Sequence, residues 1–320
     1  MKRRYALLLL VLAATLPVAH AQPGKWPERP IRIVLPFAPG GAADVMARIL
    51  APHLAEAFGQ QFIVDNRAGA GGTIGAEIAA RANPDGYTVI VTASTYASSA
   101  ALYKMSFDPV KGIAPIGLID VAPFVLVVHP GLNAANVKEF IDLLRTNPGA
   151  YNFGSSGTGG TPHLAGELFK QLTNTSMTHV PYKGEGPAFA NLLGGQIQVM
   201  FAAPLILPSH IKAGRLRALA VTTAQRSPLM PELPSIAEQV PGYSVHTWRA
   251  MWAPLGTPNE IVLRFNQALE RILRQPEVAE RLRAGGVEPT HSTPEEFGRM
   301  IAQEIATWSK VVKAGNIKVD

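Results

Sequence analysis

The chain has 320 residues, no cysteine, 8 histidines and a formal net charge of +6, and 47% of it is hydrophobic. Lack of cysteine excludes disulfides, thiolate catalysis and cysteine metal sites, and the length exceeds what one hydrophobic core usually covers, so two lobes are expected. Three of the positive charges, Lys2, Arg3 and Arg4, lie in a segment that reads as removable; without it the charge falls to +3 and the case for nucleic-acid binding disappears.

That segment is the first element in chain order. A basic n-region at Lys2 to Arg4, an apolar run from Ala6 to Leu12 and an A-x-A site at Ala19-His20-Ala21 make residues 1–21 a secretory signal, with the mature chain starting at Gln22. The apolar run ends near Val18, short of the roughly 20 residues that a membrane span needs. Residues 31–44, IRIVLPFAPGGAAD, then give a strand, a Pro/Gly turn through Phe37, Ala38, Pro39, Gly40 and Gly41, and a helix with apolar residues at Met46, Ile49, Leu50, Leu54 and Phe58. Glycines let the backbone approach a ligand, and the free N–H groups of the first helical turn, from Ala42 to Asp44, favour an anion. Pro52 predicts a kink or local break in that helix.

Two further loops repeat the arrangement. Asn66 to Gly75, including Gly69, Gly71, Gly72 and Thr73, follows the strand-like QFIVD and precedes the helix-like Ala76 to Arg81. Gly154 to Thr161, through Ser155, Ser156, Gly157, Thr158 and Gly159, follows YNF; Thr161 is the expected N-cap, Pro162 lies in the first turn, and Leu164, Ala165, Leu168, Phe169 and Leu172 form one stripe. Strand-like runs at 32–35, 87–92, 124–129, 151–154, 198–201 and 216–221 alternate with helical stretches, which gives an α/β class with mainly parallel sheets. Ser227 to Pro241 reads as an irregular connection carrying one short helix.

Enzymatic readings of these loops fail on spacing. A dinucleotide fingerprint starting at Gly69 meets Ile74 where its third glycine belongs, there is no Walker sequence, and Ser156 lies in G-S-S-G-T rather than G-x-S-x-G. The histidines are scattered without metal-ligand spacing, and only His163, in the first turn behind the third loop, is retained as a site candidate. Neither a cofactor nor a metal is expected.

PIRIVLPFAPGGAAD, DNRAGAGGTIGAE, NPDGYTVIV, SFDPVKGIAPIGL, YNFGSSGTGGTPHLAGELFK, THVPYKGEGPAFANLLGGQI, HIKAGRLRALAVTTAQRSP, LPSIAEQ, APLGTP and WSKVVKAGNIKVD occur in this order. Together they resemble the Bug-type, TctC-like receptors of tripartite tricarboxylate transporters over essentially the whole mature chain. The resemblance implies a monomeric periplasmic receptor of the two-lobed type II periplasmic-binding-protein fold, with residues 22–123 and 250–320 in one lobe, 124–249 in the other, and two crossing strands as the hinge. It places Phe37 to Asp44, Gly69 to Thr73, Ser94 and Thr95 on one side of the cleft, and Ser155 to His163, Tyr182 and Lys183 on the other, with Ala202 and Ala203 nearby. The implied ligand is a small organic carboxylate, best a dicarboxylate, aliphatic or aromatic. The implied partners are the membrane subunits of a secondary transporter, the alternative being a sensor that feeds a signalling partner.

Two departures bear on the ligand. Relatives usually carry Phe-Asp after QVM, whereas this chain has Phe201-Ala202-Ala203-Pro204, which predicts a less acidic and more apolar pocket, less suited to an ammonium-bearing amino acid, if Ala202 faces the cleft. Arg249 follows Trp248 where relatives usually have an uncharged residue; it is expected at the solvent-exposed hinge, the alternative being a bidentate grip on a carboxylate. Trp248 and Trp252 either wall the cleft or pack the crossover strands.

Overall fold

The computed structural model describes residues 26–314, so the signal segment lies outside the described residues. In chain order come β1 (Ile31–Leu35), α1 (Ala42–Phe58), β2 (Phe62–Asn66), α2 (Thr73–Ala80), β3 (Thr88–Ala93), α3 (Thr95–Ala100) and β4 (Ile113–Pro123). The chain then crosses to β5 (Val125–Val128), α4 (Val137–Thr146), β6 (Asn152–Ser155), α5 (Thr161–Thr173), β7 (Thr178–Pro181), α6 (Glu185–Leu193), β8 (Val199–Ala202), α7 (Pro208–Lys212) and β9 (Arg217–Val221). It returns in β10 (His246–Pro254), followed by α8 (Asn259–Leu273), α9 (Pro276–Ala284), β11 (Glu288–Pro289) and α10 (Pro294–Ala314).

Two sheets result, in the orders β11-β4-β10-β3-β1-β2 and β7-β6-β8-β5-β9. β1 runs parallel to β2 and β3, and β6 parallel to β7 and β8, whereas β10 and β5 are antiparallel to their neighbours. His246 to Arg249, expected with the second lobe, pair with β4 in the first sheet. β1 is buried on both faces, as a parallel strand flanked by helices should be. Ile31, Ile33 and Leu35 pack against Met46, Leu50 and Leu54 of α1, while Val34 packs with Ala76 and Ile90 on the opposite side. Phe140, Phe153, Phe169 and Phe201 fill the second core.

α1 is continuous from Ala42 to Phe58 with Pro52 inside it, so the expected break is not there. α5 is capped by Gly160 rather than Thr161, which is the first helical residue, and Leu172 at the end of its apolar stripe is exposed. The stretch after β9 does contain one short helix, Ile236–Glu238, opened by a capping box between Ser235 and Glu238.

Thr222 fastens the two crossings. Its hydroxyl accepts from Phe124 N at 2.8 Å and donates to Val245 O at 2.8 Å, and its own N–H donates to Phe124 O at 3.0 Å. Next to this hinge Trp248 donates its indole N–H to Glu304 of α10 at 2.9 Å, and His246 reaches the other Glu304 oxygen at 2.9 Å. Trp248 and Trp252 are completely buried with Tyr96 and Phe297 in the first lobe, which identifies both as packing residues.

Candidate functional site

The first glycine loop is braced from within. Gly40, at φ +88°, donates its N–H to Asp44 Oδ2 at 3.1 Å, and the same carboxylate accepts from Arg48 at 3.0 and 3.1 Å and from Asn66 Nδ2 at 3.1 Å. Burial acts to raise the Asp44 carboxyl, but the Arg48, Gly40 and Asn66 bonds outweigh it and hold the group below its ordinary value. Asp44 therefore serves the loop's shape. With its own carboxylate satisfied, α1 presents backbone N–H groups at the positive end of the helix dipole.

The serine/glycine loop before α5 is stiffened differently. Ser155 Oγ lies 2.7 Å from His179 Nε2 and accepts from Gly157 N at 3.1 Å; Gly159 N donates to His163 Nδ1 at 3.1 Å, and the two imidazoles stack at 3.9 Å. Burial pushes both rings down, His179 to about 3, so they are neutral and structural at physiological pH. Ser156 differs from all of these. It is 7% exposed, its hydroxyl has no hydrogen-bond partner, and it faces the space between the lobes. Buried hydroxyls are ordinarily paired, so this one marks a position where a ligand or ordered water completes the site.

The lobes touch on both sides of that space. On one side Ser98 and Thr161 hydroxyls are 3.2 Å apart and Tyr103 donates to Thr158 O at 3.2 Å, while a Cβ on Gly71 would lie 2.9 Å from Thr158 O. On the other, Ala38 N donates to Lys183 O at 2.9 Å, and a Cβ on Gly186 would sit 2.1 Å from Pro39 O. Only glycine at 186 permits this approach.

The cavity is small, with a volume of about 40 Å³. Of the expected site residues, Phe37, Gly41, Ala42, Asp44, Thr95, Ser156 and Ala203 line it. The others are brought close without facing it. Ala38, Pro39, Gly40, Gly71, Thr158 and Thr161 form the interlobe contacts, and Ser94 holds Thr247 at 3.1 Å. Gly72 and Thr73 shape the second loop, Ser155, Gly157, Gly159 and His163 the third, and Tyr182 is bonded through its N–H to Ser155 O at 3.1 Å.

Two expectations need correction. Ala202 is fully buried among Val125, Val127, Phe189 and Leu192 of the second lobe and points away from the cleft; strand alternation gives that face to Ala203 instead. Arg249 is neither exposed nor free. It is 1% exposed, lines the cavity, and makes a bidentate pair with Asp120 at 2.5 and 2.6 Å. A hinge strand keeps this charge buried because β4, its antiparallel neighbour, places Asp120 directly opposite.

Ala43 and Pro162, within the stretches 37–44 and 155–163 placed at the cleft, line the cavity too, whereas Ala93, Phe124, Glu185 and Thr247 line it and were missed in the sequence. Glu185 matters most. From the first turn of α6 its Oε1 accepts from Ala203 N at 2.6 Å and its Oε2 accepts from Ala42 N, the first residue of α1, at 3.0 Å. Burial pushes its carboxyl up, opposed by the two N–H bonds and by Arg249. The pocket is thus not short of acid: a carboxylate enters from a position the family pattern did not flag.

Residues 46–317 match the family described as the tripartite tricarboxylate transporter family receptor, TctC. Protein BugT of Bordetella pertussis is 35% identical over 323 residues, covering 100% of this chain and 99% of BugT. Among solved structures, R. palustris Rpa4515 with adipate superposes with a TM-score of 0.88 at 37% identity, covering 92% of this chain and 99% of that one. MatC (Rpa3494) from Rhodopseudomonas palustris with bound malate gives 0.85 at 31% identity over 90% and 100%.

Proposed function

The chain belongs to the tripartite tricarboxylate transporter receptor family, a family of solute-binding receptors rather than enzymes, and from that premise we propose that it is a periplasmic, monomeric receptor for a small organic carboxylate. Hinge closure captures the acid, and the closed receptor delivers it to the membrane subunits of a tripartite tricarboxylate-type secondary transporter.

The observation that carries this reading is the cavity between the N-termini of α1 and α5, with the unpartnered Ser156 hydroxyl on its wall. Opposed helix termini stabilise an acid that is polar at both ends, of which a dicarboxylate, aliphatic or aromatic, is the simplest. The adipate and malate held by two related structures support the same class. A solute touching both lobes favours the closed form by its differential affinity.

The test is a thermal-shift panel on mature protein stripped of bound solute by unfolding and refolding. Aliphatic and aromatic mono-, di- and tricarboxylates are compared with uncharged solutes. A ligand at about 100 times its dissociation constant adds about 2.7 kcal/mol and raises the melting temperature visibly. Stabilisation by uncharged solutes alone would overturn the reading. Loss of uptake of the bound acid on deleting the gene tests delivery.

A further inference from the structure

Glu185 lies where an anion would be expected to bind. An N–H at the start of α1 is a natural partner for a ligand carboxylate, yet Ala42 N already donates to Glu185 Oε2. The other oxygen uses Ala203 N. Each oxygen accepts from a backbone N–H, as those of an ionised carboxylate do even though burial pushes this group up, so what they offer the cavity is a hydrogen-bond acceptor carrying negative charge.

Among the described residues no nearby cation is free to cancel it. From α1, Arg48 is taken by Asp44; from β10, Arg249 is taken by Asp120 at 2.5 and 2.6 Å. The 203–204 segment contributes backbone only, and Lys183, two residues before Glu185, is exposed. On the α5 side His163 accepts a hydrogen bond at Nδ1 and burial keeps it neutral. Each ion pair is satisfied within itself, and Glu185, which Arg249 reaches only through space, is a carboxylate of the wall with no ion-pair partner among the described residues. The Ser156 hydroxyl, by contrast, is a buried donor without a partner on the α5 side.

We propose that Glu185 is the specificity-determining residue of the cleft. It requires the ligand group facing α1 to donate a hydrogen bond, while the ligand carboxylate is received by Ser156 and the α5 terminus. The inference rests on the carboxylate-receptor reading and narrows it. Hydroxyl, amide or ammonium groups satisfy Glu185 directly. A second carboxylate placed there forms a like-charge pair out of water and enters only with a shared proton. Dicarboxylates are therefore bound with proton uptake.

Two chain-length series test this by calorimetry: succinate, succinamate and 4-aminobutanoate, and adipate, adipamate and 6-aminohexanoate. At about pH 7.5 the wild type should bind the monoamide or the amino acid about tenfold or more tighter than the diacid of equal length. The diacid should bind more tightly at about pH 5.5, with proton uptake read from the dependence of the enthalpy on the buffer. Glu185→Gln should bring the ratio to within about threefold and abolish the excess proton uptake; comparing both proteins with the same diacid removes the ligand's own titration.

Equal or tighter diacid binding by the wild type without proton uptake would overturn the proposal, as would an unchanged ratio in Glu185→Gln. If that variant fails to fold, the wild-type series and its pH dependence decide. Failure of both series and of every carboxylate in the thermal-shift panel to bind native protein would instead overturn the receptor reading, taking this inference with it.

Discussion

Replacing Gly186 with alanine would separate lobe folding from lobe closure. The new methyl carbon would lie 2.1 Å from Pro39 O across the cleft, and side-chain carbons essentially never come within 3.0 Å of such an atom, so the lobes must part there by about 0.9 Å. The neighbouring bond from Ala38 N to Lys183 O, now 2.9 Å, would stretch beyond hydrogen-bonding range, and that from Ala42 N to Glu185, now 3.0 Å, would weaken. A neutral bond contributes about 1 kcal/mol and a charge-assisted one about 2, so the closed form should lose about 2–3 kcal/mol, or roughly 30- to 150-fold in affinity. Gly186 is in the first turn of α6, where alanine is the better helix former, so the unliganded protein should melt at or slightly above the wild-type temperature. Calorimetric titration with the acid found by thermal shift, alongside melting curves, measures both. Affinity within about threefold of wild type would refute the argument, because it would mean the contact relaxes at no cost to closure.

Arg249→Met should destabilise the protein by about 3–5 kcal/mol in urea titrations, since it strands Asp120 without its countercharge, whereas Arg249→Met with Asp120→Leu should recover most of that loss. Ala202→Asp, which would acidify the pocket if residue 202 faced it, should instead cost about 3 kcal/mol or more by burying a carboxylate among Val125, Val127 and Leu192, visible as a lowered denaturation midpoint. The hydrogen bond that His246 donates to Glu304 raises it above the ordinary histidine value, so the folded state binds its proton more tightly than the unfolded chain. Stability from this pair is full below about pH 6.5 and is lost as pH rises through the raised folded value; the melting-temperature gap between wild type and His246→Gln should close over that interval, modestly because the ring is half exposed.

The cradles were legible because strings of glycine and proline after apolar strands have few alternatives to a tight turn before a helix. What they face was not. Ala202 and Ala203 are adjacent small apolar residues, and nothing in the local sequence says which one takes the cavity side of β8. Arg249 looked like a surface charge because its partner, Asp120, lies 129 positions away and meets it only through antiparallel pairing of β4 and β10. Glu185 sits in Gly184-Glu185-Gly186, a local pattern of loop and helix start; its role comes from α1 of the opposite lobe. Pro52 misled in the other direction, since packing of Leu50 and Leu54 into the first core keeps α1 continuous through a residue that isolated helices reject.

Because one hydroxyl, that of Thr222, is bonded to Phe124 and Val245 at once, the two strands joining the lobes cannot slide past each other without breaking a buried bond. Shear is suppressed and rotation is left. In the hinge closure proposed above, opening and closing then follow a single arc.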